Sequence, residues 1–161
     1  MKVFVASREK MKQLISSVMY YGVLKSSTHI ISYHSDFSRL DFSKVRSKVF
    51  EVQLDDIRVV SDKEKFYEDH KDIFIKMAGF IKDAHENDSD IYCQCEAGVS
   101  RSAGTAMAIK DYYFGDGDEI LKDWHYMPNY LVYYCVIRAL NEVNGTDLWP
   151  DKIKQFITTN K

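Results

Sequence analysis

The sequence predicts an α/β fold: a central, mostly parallel sheet of four to five strands flanked by helices on both faces. Short β-branched and aromatic runs alternate with stretches of helical period, and no two runs are joined by a hairpin turn. One run, Thr28-His29-Ile30-Ile31-Ser32-Tyr33, lacks the alternation of a half-exposed strand, as expected of a strand buried on both faces. A chain of 161 residues that is 45% hydrophobic fits a single domain spanning residues 1–161. Such a chain buries about two thirds of its unfolded surface and needs no disulfide or metal staple.

Val3-Phe4-Val5 reads as the first strand. Ser7 is placed to cap the helix that follows, with Glu9 favourable in its first turn. Met11, Leu14, Ile15 and Met19 recur at helical spacing, and Gly22 closes that segment. The run at 28–33 is the second strand, and Lys48-Val49-Phe50-Glu51-Val52-Gln53-Leu54 is the third. Residues 63–84 form the longest helical pattern, its apolar stripe made of Phe66, Ile73, Met77, Phe80 and Ile81. Ile91-Tyr92-Cys93-Gln94-Cys95 is a short strand, followed after a loop by a helix of small residues at 101–113. Gly115-Asp116-Gly117 is a break. Pro128 fits the first turn of a helix carrying Tyr130, Leu131, Tyr134, Val136, Ile137 and Leu140. Pro150 opens a last short helix. No repeat, low-complexity tract or linker interrupts the chain.

Composition excludes several classes. Lys plus Arg is 22 and Asp plus Glu is 24, a formal net charge of −2. A nucleic-acid binder that neutralises phosphates is normally basic, so no nucleic-acid partner is expected. High apolar content with low net charge argues against disorder. Three cysteines, Cys93, Cys95 and Cys135, do not make a disulfide framework and read as reduced thiols in a cytoplasmic protein. The N-terminal apolar run is too short for a signal peptide. The longest apolar stretch, 131–137, falls far short of the ~20 residues that span a bilayer, so no membrane partner is expected. A monomer is expected.

One segment carries chemistry: Cys95-Glu96-Ala97-Gly98-Val99-Ser100-Arg101-Ser102. A cysteine ends a strand, and an arginine opens a helix across a tight loop. The loop amides of Glu96, Ala97, Gly98, Val99 and Ser100 and the helix N-terminus form a cradle for a tetrahedral oxyanion. Gly98 permits a conformation that a side chain obstructs. Arg101 offers a planar fork for two oxygens. The same field favours the Cys95 thiolate, which at the bottom of such a cradle is an in-line nucleophile for phosphorus.

These residues resemble the C-x5-R-[ST] signature of cysteine-based protein phosphatases, the Gly-x-Ser-Arg-Ser ending resembles the dual-specificity branch, and the N-terminal layout resembles that of its small bacterial and viral members. The full pattern arises by chance in roughly one chain of this length in ten thousand, or fewer, from average residue usage. The segment Ala78-Gly79-Phe80-Ile81-Lys82-Asp83-Ala84 is similar to the helix before the signature strand in that family. Tyr126-Met127-Pro128-Asn129 is similar to the Pro-Asn that opens a late helix there. The resemblance implies a nucleophile, Cys95; phosphate binding by Arg101 and the loop amides; and a Ser102 hydroxyl that eases departure of the thiolate. It also implies an upstream aspartate as general acid, with no metal or cofactor. Asp56 is favoured for that acid, because Val52-x-Leu54-x-Asp56 places it at a strand end. Asp55 and Asp62 are the alternatives; Asp62, 33 residues before Cys95, is closer to the family's usual separation. One departure stands out: Gln94 occupies the position before the nucleophile where the family carries histidine. It implies a less acidified thiol.

The implied activity is hydrolysis of phosphomonoesters in phosphorylated protein or peptide. The acidic Glu96, in a loop without lysine or a further arginine, argues against a polyanionic lipid headgroup. The rival readings are a rhodanese-like sulfurtransferase, which the Gly-Val-Ser-Arg-Ser ending fits less well, and a pseudophosphatase that binds phosphorylated ligands without turnover. The low-molecular-weight phosphatases place C-x5-R near the N-terminus and fit less well still. Cys93 and Cys135 read as core thiols; Cys93, two residues from Cys95 on an extended strand, has poor disulfide geometry for it. His29, His34, His70, His85 and His125 show no metal-ligand spacing. His34 and His125 read as loop residues with the option of lining a cleft. Among the tyrosine pairs, some are expected to face solvent on one side of their helices, and Lys63-Glu64-Lys65 reads as a solvated face.

Overall fold

The structure, a computed structural model, describes residues 1–21, 27–35 and 39–153, with the backbone alone at 18–21. Four strands, β1 (Val3–Ser7), β2 (His29–His34), β3 (Lys48–Gln53) and β4 (Ile91–Cys95), pair in the order β1-β4-β2-β3. Every pairing is parallel. The Ile91–Cys95 strand is therefore internal, with both neighbours supplying ladder bonds, and its last residue emerges at the carboxyl edge of the sheet. That edge is where open α/β sheets bind ligands.

The period of two along each strand divides the core. Ile31, Tyr33, Val52, Ile91, Cys93 and Cys95 enter the larger cluster, with Phe74, Met77 and Ile81 and with Leu131, Tyr134 and Ile137. Ala6 and Ile30 face the other way, onto Met11 and Leu40. The second strand is buried along its first five residues, as its unbroken apolar run requires.

Helix α1 (Arg8–Tyr21) covers the smaller face. Ser7 Oγ accepts from the Lys10 amide at 3.1 Å, the expected cap. Gly22 lies outside the described residues, as does the Met19 side chain. The single long helix expected at 63–84 is two, α2 (Lys63–Asp69) and α3 (Lys71–Glu86). His70 breaks it: the backbone leaves helical geometry at φ −118° and ψ 12°, and the ring Nδ1 takes the Phe66 carbonyl at 2.8 Å. An apolar stripe cannot signal such a break, because both halves still face the core. Glu64 is more than a solvated side chain, since it receives the Tyr134 hydroxyl and pairs with Arg138.

Helix α4 (Arg101–Phe114) carries Ala103, Gly104, Thr105, Ala106 and Ala108, all buried. These small residues let it lie close under the sheet and against a later helix, α6 (Tyr130–Asn144). The short α5 (Asp118–Lys122) follows the glycine break and has no counterpart among the expected elements. Pro128 lies outside the helix it was expected to open, two residues before Tyr130; Asn129 is the cap, its side chain accepting from the Val132 amide. At Tyr133-Tyr134 neither ring faces solvent. Pro150 precedes a helical turn at 151–153, and the remainder of that segment lies outside the described residues. Among the described residues no helix is long and apolar enough to cross a membrane.

Candidate active site

Cys95 ends the Ile91–Cys95 strand 2% exposed, with its Sγ 3.0 Å from Ser102 Oγ. Burial pushes its thiol up, but hydrogen bonds outweigh that. The Ser102 hydroxyl and the backbone amides of Ser102, Ser100 and Val99 all stabilise the sulfur, so the thiol sits below its ordinary value. Cys93 and Cys135 lack such donors, and burial holds both well above the ordinary range.

The loop is held open from outside. Its carbonyls are taken by other segments: Glu96 O by the Arg8 amide at 3.0 Å, Val99 O by Met127 at 3.0 Å, and Ser100 O by Asn129 at 3.1 Å. With the carbonyls turned out, the amides are left for an anion. Gly98 has φ +69°, and a Cβ there would lie 2.5 Å from Ser7 N and 2.8 Å from Ala6 C. The end of the first strand thus packs directly on the loop. Glu96 is exposed and pairs with Arg8 at 3.2 Å.

Arg101 is 7% exposed. One guanidinium nitrogen, Nη1, donates to the Leu54 carbonyl, and the group lies 5.8 Å from the Tyr33 ring centre. Its Nε is buried without a partner among the described residues. A buried unpaired donor is costly, and an oxyanion in the loop would supply its acceptor.

The three aspartates proposed as acids have separate fates. Asp56 reaches the loop: Ser100 Oγ donates to its Oδ1 at 2.7 Å and Asn129 Nδ2 donates to the same oxygen at 2.9 Å. Its Oδ2 lies 3.8 Å from Arg58. Asp62 caps the Lys63–Asp69 helix, accepting from the Lys65 amide at 2.9 Å, which is a structural employment. Asp55 lines a separate cavity, together with Leu54 and Ile57.

Gln94 faces away from Cys95. Its side-chain oxygen accepts from Ser32 Oγ at 2.6 Å on the opposite side of the sheet, and it is not among the groups that set the sulfur. His34 is half-buried at a strand end, and exposed His125 bonds Asp123.

Asn129 is the site residue that sequence reasoning undervalued. It is 1% exposed. One side chain caps the Tyr130–Asn144 helix, binds Asp56, and donates to the Ile57 carbonyl at 2.8 Å. A Pro-Asn before an apolar run signals the cap; nothing local signals the other two bonds. The Leu54 carbonyl was equally illegible.

The parallel sheet, with a cysteine loop between an internal strand and a small-residue helix, is a fold shared with solved structures. Among solved structures, PTPMT1 in complex with PI(5)P matches with a TM-score of 0.53 at 12% identity, over 89% of this chain and 93% of that one. A second structure of PTPMT1 matches with a TM-score of 0.49 at 10% identity, over 89% and 92%. No protein-family model and no curated protein matches the sequence.

Proposed function

We propose that the chain is a cysteine-dependent phosphoric monoester hydrolase acting on phosphorylated protein or peptide, of dual-specificity or tyrosine type. The observation that carries this reading is the convergence of the Ser102 hydroxyl and three loop amides on Cys95 Sγ. Such convergence stabilises a thiolate where an oxyanion would sit.

The Cys95 thiolate attacks phosphorus in line with the ester oxygen. The S–P bond forms as the P–O bond breaks, while Arg101 and the loop amides hold the equatorial oxygens. A proton on Asp56 passes to the leaving oxygen. Asp56, now a carboxylate, takes a proton from water as that water attacks the phosphocysteine. The S–P bond breaks, and the Ser102 hydroxyl stabilises the departing thiolate. Both bonds donated to Asp56 fall on Oδ1, and Oδ2 lies 3.8 Å from Arg58.

A thiol held below its ordinary value despite Gln94 supports turnover over mere phosphate binding. The shared fold with PTPMT1 favours a phosphatase over a sulfurtransferase. That neighbour was solved with PI(5)P. Here the exposed Glu96, with no lysine or second arginine in the loop, favours a phosphoprotein over a multiply phosphorylated lipid.

The test is hydrolysis of an aryl phosphate in EDTA by wild type, Cys95→Ser and Asp56→Asn, with phosphopeptide and PI(5)P compared as substrates. Loss in the first variant and a drop of about 100-fold in the second are expected. Full activity in Cys95→Ser overturns the mechanism; faster release of phosphate from PI(5)P overturns the substrate class.

A further inference from the structure

Beside the loop, at the carboxyl ends of the second and third strands, lies a cavity of about 560 Å³. Leu54, Ile57 and Ile73 form its apolar walls, and Ser35, Gln53, Asp55 and His70 are its polar lining among the described residues. The segment dividing it from the phosphate loop is short. Leu54 O receives Arg101, and Asp56, between the two lining residues Asp55 and Ile57, touches Ser100. A phosphorylated residue seated on Cys95 therefore brings its chain neighbours past this cavity.

Asp55 is exposed and pairs with no cation among the described residues. The His70 ring nitrogen Nδ1 bonds the Phe66 carbonyl, which only accepts. That nitrogen therefore carries a hydrogen. The Asp55 side chain above the aliphatic walls of Leu54, Ile57 and Ile73 matches a long side chain with an apolar stem and a donor-rich cationic head.

We propose that this cavity is a second subsite, taking an arginine or lysine side chain that flanks the phosphorylated residue. This rests on the phosphoprotein reading. Asp55 is then a specificity residue: its charge selects the substrate's neighbour, while Asp56 serves the chemistry one residue on. An acidic subsite of this kind also repels anionic lipid.

Phosphopeptides matched except for Arg, Gln or Glu at each position within three residues of the phosphorylated one are compared in wild type, Asp55→Asn and Ile73→Arg. At one position the wild type should favour Arg over Glu by roughly tenfold in kcat/KM, the scale of one charge pair at an interface. Asp55→Asn should reduce that ratio to about threefold or less, and Ile73→Arg, which places a cation in the cavity, should abolish or reverse it. Aryl phosphate is too small to reach the cavity, so Ile73→Arg should hydrolyse it at the wild-type rate. If Ile73→Arg does not fold, the exposed Asp55→Asn decides, because its peptide ratio is internal to one protein. A flat wild-type ratio at every position, with aryl-phosphate hydrolysis intact, overturns the subsite and spares the phosphatase reading. If nothing is hydrolysed, peptide affinities for Cys95→Ser decide: an Arg preference that depends on Asp55 sustains the subsite without catalysis, and no binding or no preference overturns it.

Discussion

Replacing Gly98 by alanine should separate two costs that usually come together. Gly98 and Gly115 have nearly the same backbone, φ +69° and +70°, but a Cβ at Gly115 meets nothing within 4 Å. Gly115→Ala thus reads the left-handed penalty alone, about 1 kcal/mol after the entropy gained by stiffening the unfolded chain. At Gly98 the new carbon meets three backbone atoms, at 2.5, 2.7 and 2.8 Å. Backbone cannot swing aside as a side chain can, so the first strand and the loop must part by about 1 Å to restore ordinary contact. Overpacking of that kind adds about 2 kcal/mol, and a displacement of that size at reacting groups costs about 100-fold in rate. Urea unfolding and aryl-phosphate hydrolysis of both variants are the assay. Gly98→Ala should be about 3 kcal/mol less stable than wild type and about 100-fold slower, with Gly115→Ala losing about 1 kcal/mol and keeping its rate. Equal stabilities with undiminished activity in Gly98→Ala would refute the idea that strand and loop are locked together there.

Three other outcomes follow from particular contacts. Hydrogen bonds lower the Cys95 thiol, so its thiolate persists at pH values where an ordinary thiol is protonated; Ser102→Ala removes a donor and should move the midpoint of iodoacetamide alkylation to higher pH, and an unmoved midpoint contradicts the assignment. Asn129→Asp keeps an acceptor for the helix cap but loses the donor to Asp56; hydrolysis of alkyl phosphates, whose leaving groups need a proton, should fall about 100-fold while that of nitrophenyl phosphate falls much less, and equal losses would remove Asn129 from acid positioning. Asp111, 8% exposed, receives the Tyr133 hydroxyl at 2.6 Å, the Gly117 amide at 3.0 Å and Lys152 at 2.8 Å; Asp111→Ala should cost about 3 kcal/mol in urea unfolding, and a loss under 1 kcal/mol would show the network to be idle.

Legibility in the sequence followed the range of the forces involved. The last strand, residues 91–95, was placed to the residue, because its apolar side chains and the cysteine loop behind it are local signals. The cradle was legible for the same reason: Cys95, Gly98, Arg101 and Ser102 lie within eight positions, and strand, loop and helix termini bring them together. The order of strands was not legible, since parallel neighbours far apart in sequence leave no local mark. Nor was the break at His70, made by one ring bonding a carbonyl four residues back. The aspartates could be named but not ranked by chemistry; the bonds that set Asp56 apart come from Ser100 and Asn129, 44 and 73 residues away. Gln94 adjoins Cys95 in sequence, but adjacent residues of a strand face opposite ways, and its side-chain oxygen takes the Ser32 hydroxyl, a partner nothing local signals.

The central claim is that Cys95 carries the phosphoryl group. Acid quenching during turnover of a phosphopeptide, followed by mass spectrometry of the segment containing Cys95, tests it most directly. One phosphoryl group on the Cys95 sulfur, accumulating in Asp56→Asn and absent from Cys95→Ser, is the expected result. Steady hydrolysis with Cys95 unmodified, or turnover undiminished in Cys95→Ser, would contradict it.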